Sequence, residues 1–70
     1  MQEKIENLVS KYRTQMSVTQ EELASKVNVS RQTIIALEKG NYTPSILIAL
    51  KIAGFFKIPV EKLFKIFYEK

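Results

Sequence analysis

Seventy residues make one small domain, and a chain of this size buries only about 60% of the surface its unfolded form exposes, so no cleft walled by two lobes fits. With neither cysteine nor histidine, the chain has no disulfide frame and no thiolate metal site. It also lacks the commonest general base and the commonest metal ligand. Eleven Lys and Arg against seven Asp and Glu give a net charge of +4, a basic excess that suits a polyanionic partner but that many ordinary domains share.

The opening segment MQEKIENLVS carries acidic residues and no uninterrupted apolar run, so it does not read as a signal peptide. Ile5, Leu8, Val9 and Tyr12 recur at helical spacing and predict an amphipathic helix over about residues 4–15. Thr19 followed by Glu22 matches a capping box, which starts a second helix at Gln20 with Leu23, Ala24 and Val27 on one face. Asn28 ends it, because Asn tolerates the left-handed backbone of helix ends and tight turns. Ser30 is a good N-cap for a third helix that turns Ile34 and Leu37 inward and stops at Gly40. Gly40 to Pro44 is turn chemistry throughout.

A fourth helix over about 45–56 is apolar almost all round, and Ile46, Ala49, Leu50, Ala53 and Phe56 are expected to close the core. This most apolar stretch is broken by Lys51 and is too short to span a bilayer, which needs about 20 residues, so a cytoplasmic location is expected. Pro59 opens a fifth helix, with Val60, Leu63, Phe64 and Phe67 as its apolar face. The C-terminal residues allow two readings. Phe64, Ile66 and Tyr68 alternate as in a strand, while Leu63, Phe64 and Phe67 fit a helix. If extended, this segment pairs with the N-terminal segment or with a partner's copy, although Met1 to Lys4 is polar and has no strand pattern. The expected fold class is all-α, a compact five-helix bundle forming one domain over residues 1–70, with an extended C-terminal segment left open.

Helices two and three, joined by a few residues around Asn28, form a helix-turn-helix, whose second helix can lie in a DNA major groove. TQEELASKVNVSRQTIIALEKG, Thr19 to Gly40, resembles the helix-turn-helix of the phage repressor and Cro family, also called the XRE type. The resemblance extends from Val9 to Phe64. Gln20, Ala24, Val27, Val29, Ile34 and Leu37 fall on the family's characteristic positions, and the YTPS and LKIA stretches fit its following loop and fourth helix. Ser17 and Asn28 stand where the family usually has glycine.

The resemblance implies double-stranded DNA as partner and a recognition helix that reads bases. Ser30, Arg31 and Gln32 crowd its first turn, where Gln suits adenine and Arg suits guanine. Ile35 and Ala36 lie near the same face, and Ile35 either touches a thymine methyl or covers part of the core. Thr19 and Gln20 stand at the start of helix two, where free N–H groups and the helix dipole favour a phosphate. In the family the Gln at this place holds a phosphate and braces the recognition helix. Lys39, Asn41 and Tyr42 occupy the loop through which the family contacts backbone phosphate. The resemblance also pairs Arg13 with Glu38 in a largely buried salt bridge that clamps helix one to helix three.

No carboxylate cluster, glycine-rich phosphate loop or other catalytic constellation is present, and no cofactor or metal is expected. The function read from the sequence is a sequence-specific DNA-binding regulator, a repressor acting as a dimer on a palindromic operator. Its rival is a protein-interaction module on the same fold, an antitoxin or coactivator. Apolar residues left over near the C-terminal end, Leu47, Phe55, Phe64, Ile66, Phe67 and Tyr68, are the expected dimer face, centred on residues 58–70.

Overall fold

The structure is a computed structural model that describes residues 2–69. Its elements run β1 (Gln2–Asn7), α1 (Val9–Gln15), α2 (Gln20–Val27), α3 (Arg31–Glu38), α4 (Ile46–Phe56), α5 (Val60–Leu63) and β2 (Phe64–Glu69). Met1 and Lys70, the outer ends of the two segments discussed above, lie outside the described residues.

Hydroxyl side chains open α2, α3 and α4. Thr19 Oγ1 accepts from the Glu22 N–H at 3.0 Å, and Glu22 Oε1 accepts in return from the Thr19 N–H at 2.9 Å, completing the capping box. Ser30 and Ser45 each accept from the N–H three residues on, at 3.2 Å. In α1 the start is different. Asn7 Oδ1 accepts from the Val9 N–H at 3.1 Å.

The C-terminal ends of α1, α2, α3 and α4 share one motif. Each is followed by a residue of positive φ: Ser17 at 56°, Asn28 at 61°, Gly40 at 81° and Lys57 at 59°. The N–H of the next residue reaches back five positions to a helical carbonyl: Val18 to Arg13 at 3.0 Å, Val29 to Ala24 at 2.9 Å, Asn41 to Ala36 at 2.9 Å and Ile58 to Ala53 at 3.1 Å. These are Schellman ends, which satisfy carbonyls the helix itself leaves without partners.

The core joins every helix. Val9 of α1, Leu23, Ala24 and Val27 of α2, Ile34 and Leu37 of α3, Ile52, Ala53 and Phe56 of α4, and Leu63 of α5 are all buried. Burying each of the Val, Leu, Ile and Phe side chains among them is worth about 1.5–3 kcal/mol, which is how a chain without disulfides holds itself together.

Three sequence expectations need correction. The fold is not purely all-α, because five helices are joined by a two-stranded antiparallel sheet. The first helix starts at Val9, and residues 4–7 belong to β1. The reason is non-local. β1 pairs with β2 so that Ile5 faces Ile66, Glu6 faces Lys65 and Asn7 faces Phe64, and the β-favouring run Phe64-Lys65-Ile66-Phe67-Tyr68 supplies the template. Leu8 N–H to Leu63 O at 2.9 Å adds a further backbone bond at the inner end of this pair. As a result α5 is a single turn, and neither Phe64 nor Phe67 is helical.

The third correction concerns the rotation of α4. Ile46 is 80% and Leu50 54% exposed, while Ile52, Ala53 and Phe56 are buried and Ile48 packs against them. A helix apolar on all sides does not fix its own rotation. Ile48, Ile52 and Phe56, spaced by four, win the inward face.

Candidate nucleic-acid interface

An α-helix advances about 100° per residue, so the fully buried Ile34 and Leu37 fix which side of α3 faces outward. Arg31, Ile35 and Lys39 follow one another at four-residue spacing on the far side, with Gln32 and Ala36 beside them. Arg31, Gln32 and Lys39 are exposed, whereas Ile35 and Ala36 are half-buried. Ser30 is occupied as the helix cap, and its Oγ lies 2.9 Å from Thr33 Oγ1. Thr33 was missed in the sequence reading. Its hydroxyl shares the first turn with Ser30, and a polar residue three places after an N-cap was the signal available.

Behind this helix lies a network of charge-assisted hydrogen bonds. Arg13 Nε donates to Glu38 Oε2 at 2.7 Å and Nη2 to Glu38 Oε1 at 3.2 Å. Its Nη1 donates to the Val18 carbonyl at 2.9 Å. Gln20 Nε2 donates to Glu38 Oε1 at 3.0 Å. The two charged side chains are only 15% and 8% exposed, so the pair sits where loss of one partner typically costs about 3–5 kcal/mol. The bidentate geometry fastens α1, through Arg13, and α2, through Gln20, to the last residue of α3.

An open hollow of about 540 Å³ lies at the start of α2, lined by Arg13, Thr19, Gln20, Glu21 and Arg31. Gln20 and Glu21 carry N–H groups with no carbonyl one turn back, and Arg31 shares the lining with the Glu38-paired Arg13 and with Glu21. That combination suits an oxyanion. Thr19 Oγ1 is already used in its capping bond, the Gln20 amide is turned to Glu38, and the Arg13 guanidinium is committed to Glu38 and the Val18 carbonyl, so Arg31 is the cation the lining leaves to a ligand.

On the other side of α3 the loop presents Lys39, Asn41 and Thr43 exposed, while Tyr42 is half-buried and packs against the core. Residues 39–43 share a second hollow, of about 680 Å³, with residues 3–7 and Phe67. Glu3, Glu6 and Glu38 line it as well as Lys4 and Lys39, so its charge is mixed.

Glu22 is the group whose titration stands out. Its carboxyl is held below the usual glutamate range by the Thr19 backbone N–H, then by the Thr19 hydroxyl, with Lys26 adding a smaller pull.

The expected dimer residues separate into two kinds. Leu47, Ile66, Phe67 and Tyr68 are 63%, 56%, 48% and 54% exposed. Phe55 and Phe64 pack against the core, with the Phe55 ring edge-on to Phe56 at 5.2 Å between centroids. Ile46 and Leu50, counted as core in the sequence, join Leu47 on the outer side of α4. Among the described residues no group of three His, Cys, Asp or Glu could hold a metal ion, and no helix is long and apolar enough to cross a membrane.

A family model of helix-turn-helix proteins matches residues 9–63. An uncharacterised HTH-type transcriptional regulator of Methanocaldococcus jannaschii is 52% identical over 60 residues, 86% of this chain and 91% of that protein. YgzD of Bacillus subtilis, also named as an uncharacterised HTH-type transcriptional regulator, is 43% identical over the same shares. The cryptic phage CTXphi transcriptional repressor RstR of Vibrio cholerae is 33% identical over 51 residues, which are 73% of this chain and 46% of RstR. Among solved structures, the transcriptional regulator VanUg superposes with a TM-score of 0.78 over 99% of this chain and 92% of its own. At 18% identity that likeness is one of fold.

Proposed function

The chain belongs to the helix-turn-helix family of transcriptional regulators, of the phage repressor and Cro (XRE) type, and from that premise we propose that it represses transcription by binding a palindromic operator as a homodimer in the cytoplasm. The observation that carries the reading is the rotation of α3. Its inward side is fully used by Ile34 and Leu37, and its outward side offers Arg31 and Gln32 on the first turn, where a recognition helix meets base edges. Either side of that helix carries groups suited to phosphate: the hollow with Arg31 and the free N–H groups at the start of α2, and Lys39 and Asn41 after α3.

In this mechanism Arg31 and Gln32 read bases, while Ile35 and Ala36 set how close the helix lies to the groove floor. Gln20 serves chiefly as a brace, since its amide donates to Glu38. Two copies reach successive major grooves with half-sites about 34 Å apart on one face of the duplex. Occupancy of a promoter blocks transcription, and one relative bears the name of repressor.

The test is selection of bound duplexes from a random pool, followed by titration of the winner across salt concentrations. A symmetric consensus and a log-linear loss of affinity with salt are expected. An unenriched pool, or affinity indifferent to salt, overturns the reading. A second reading, an antitoxin or coactivator that docks another protein, is favoured by one observation, the exposed Ile46, Leu47 and Leu50 on α4. The same salt titration separates the two, because an apolar protein contact does not weaken steeply with salt.

A further inference from the structure

Schellman ends are commonly pinned by an apolar residue after the left-handed position. Val18, Val29 and Ile58 fill that place after α1, α2 and α4, and all three pack against the core. After α3 the same place holds Asn41, which is polar and exposed. The recognition helix therefore ends without the anchor its neighbours have, and the next residue of this loop to touch the core is Tyr42.

A side chain from outside the motif stands in for that anchor. The Leu37 carbonyl accepts the Gly40 N–H at 3.1 Å, and it also accepts Asn7 Nδ2 at 2.9 Å across thirty positions of sequence. The other end of the same amide, Oδ1, accepts the Val9 N–H that opens α1. The opposite amide orientation would set oxygen against carbonyl and N–H against N–H, so the geometry selects this one. Asn is the side chain that meets both demands. Asp at this place keeps the acceptor for Val9 but turns a carboxylate on the Leu37 carbonyl.

We propose that Asn7 is a positioning residue for DNA binding, holding the end of α3 and the Lys39–Tyr42 loop at the height where the loop meets backbone phosphate. The proposal rests on the DNA-binding reading for its function, but the tie itself is testable on the free protein. Because the loop contacts phosphate rather than bases, loosening it lowers affinity for all duplexes alike and leaves base preference intact.

The experiment compares Asn7→Asp and Asn7→Ala with wild type by backbone amide exchange, thermal unfolding, and duplex affinity on the selected sequence and on single-base variants. Asn7→Asp, which keeps the α1 cap, is expected to hold the thermal midpoint within a few degrees. Exchange at Gly40 and Asn41 should accelerate about two- to tenfold, the range one hydrogen bond supports. Affinity should fall by a similar factor on every duplex. Asn7→Ala should add loss of the cap and a lower midpoint. In the wild type the Asn7 side-chain amide protons should exchange more slowly than those of Asn41, a measurement that stands even if a variant fails to fold. Wild-type exchange at Gly40 and Asn41 in Asn7→Asp overturns the proposal. So does a loss of affinity confined to one base position, or unprotected Asn7 amide protons. A wild type that binds no duplex overturns the DNA reading and the functional part of the proposal with it, while exchange still decides whether the tie exists.

Discussion

Gln32 is exposed on the first turn of α3 and makes no contribution to the core, so replacing it tests reading without disturbing packing. Gln32→Ala is expected to cost about 1–3 kcal/mol on the preferred duplex and to relax preference at one position per half-site. A base-substitution series on both proteins checks this, and an unchanged preference pattern would remove Gln32 from the readers. Glu22 allows a prediction from titration. Its folded-state carboxyl is lowered by the Thr19 bonds, so its contribution to stability is fully present above the usual glutamate range. That contribution is lost as pH falls through the lowered value. Glu22→Gln retains an oxygen for the Thr19 N–H but cannot titrate there. Between neutral and strongly acidic pH the wild type should therefore lose more stability than the variant, as read by thermal unfolding across pH. Among individual residues, those whose place is set locally were legible: the Thr19–Glu22 box, the Ser30 cap, and the exposed position of Arg31 and Gln32 on the first turn of α3. Asn7 was not, because the periodicity of Ile5, Leu8 and Val9 carried a helix straight through it. Its bond to the Val9 N–H comes from one residue before the N-cap position, Leu8, where the preference for Asn at helix starts does not apply.

Three of the helix ends demand a left-handed backbone from residues other than glycine, and the cost differs with the side chain. Ser17 and Lys57, at φ 56° and 59°, pay the crowding that a Cβ meets in this region, roughly 1 kcal/mol each. Asn28, at 61°, pays less because Asn visits this region more readily. Ser17→Gly and Lys57→Gly should each raise stability by about 0.5 kcal/mol once the greater freedom of glycine in the unfolded chain is set against the relief. Asn28→Gly should be close to neutral. Urea midpoints at constant slope check the order, and a destabilised Lys57→Gly would show that its side chain does more than tolerate the turn. Elements set by local chemistry were legible in the same way, with α2 and α3 placed by their caps and α4 ended close to its true limit. Elements set by distant partners were not. β1 exists because Ile5 meets Ile66 sixty-one positions along the chain, and no window around Ile5 contains that information. The inward face of α4 was half legible: Ala53 and Phe56 could be placed, whereas Ile46, Ala49 and Leu50 could not be ranked against Ile48 and Ile52 in a helix apolar all round.

At the scale of the whole molecule, the folded domain leaves more apolar surface outside than its core can absorb. Ile46, Leu47 and Leu50 stand out on α4, and Ile66, Phe67 and Tyr68 on β2. A monomer rarely carries such patches without a use for them, and aromatic residues dominate the energetics of contacts between proteins. Among the described residues the sheet has two strands, so each presents an outer edge, and such edges favour addition of another strand. The proposed operator binding supplies an independent reason for a second copy. One short recognition helix meets few base pairs, and joining two readers makes the second contact effectively intramolecular. The wild type is therefore expected to sediment as a dimer at micromolar concentration. Phe67 lies on the sheet face opposite Ile66 and Tyr68 and is half exposed, so Phe67→Glu should leave the fold intact while setting a charge in the interface. Dissociation should weaken binding to a symmetric duplex far more than binding to a single half-site, because only the former uses the tether. Leu50→Glu makes the matching test of α4. If that variant dissociates while Phe67→Glu remains dimeric, the contact lies on α4 and the Phe67 face of the sheet does not carry it. A wild type that stays monomeric at hundreds of micromolar would sink the dimer altogether and leave both patches to another protein.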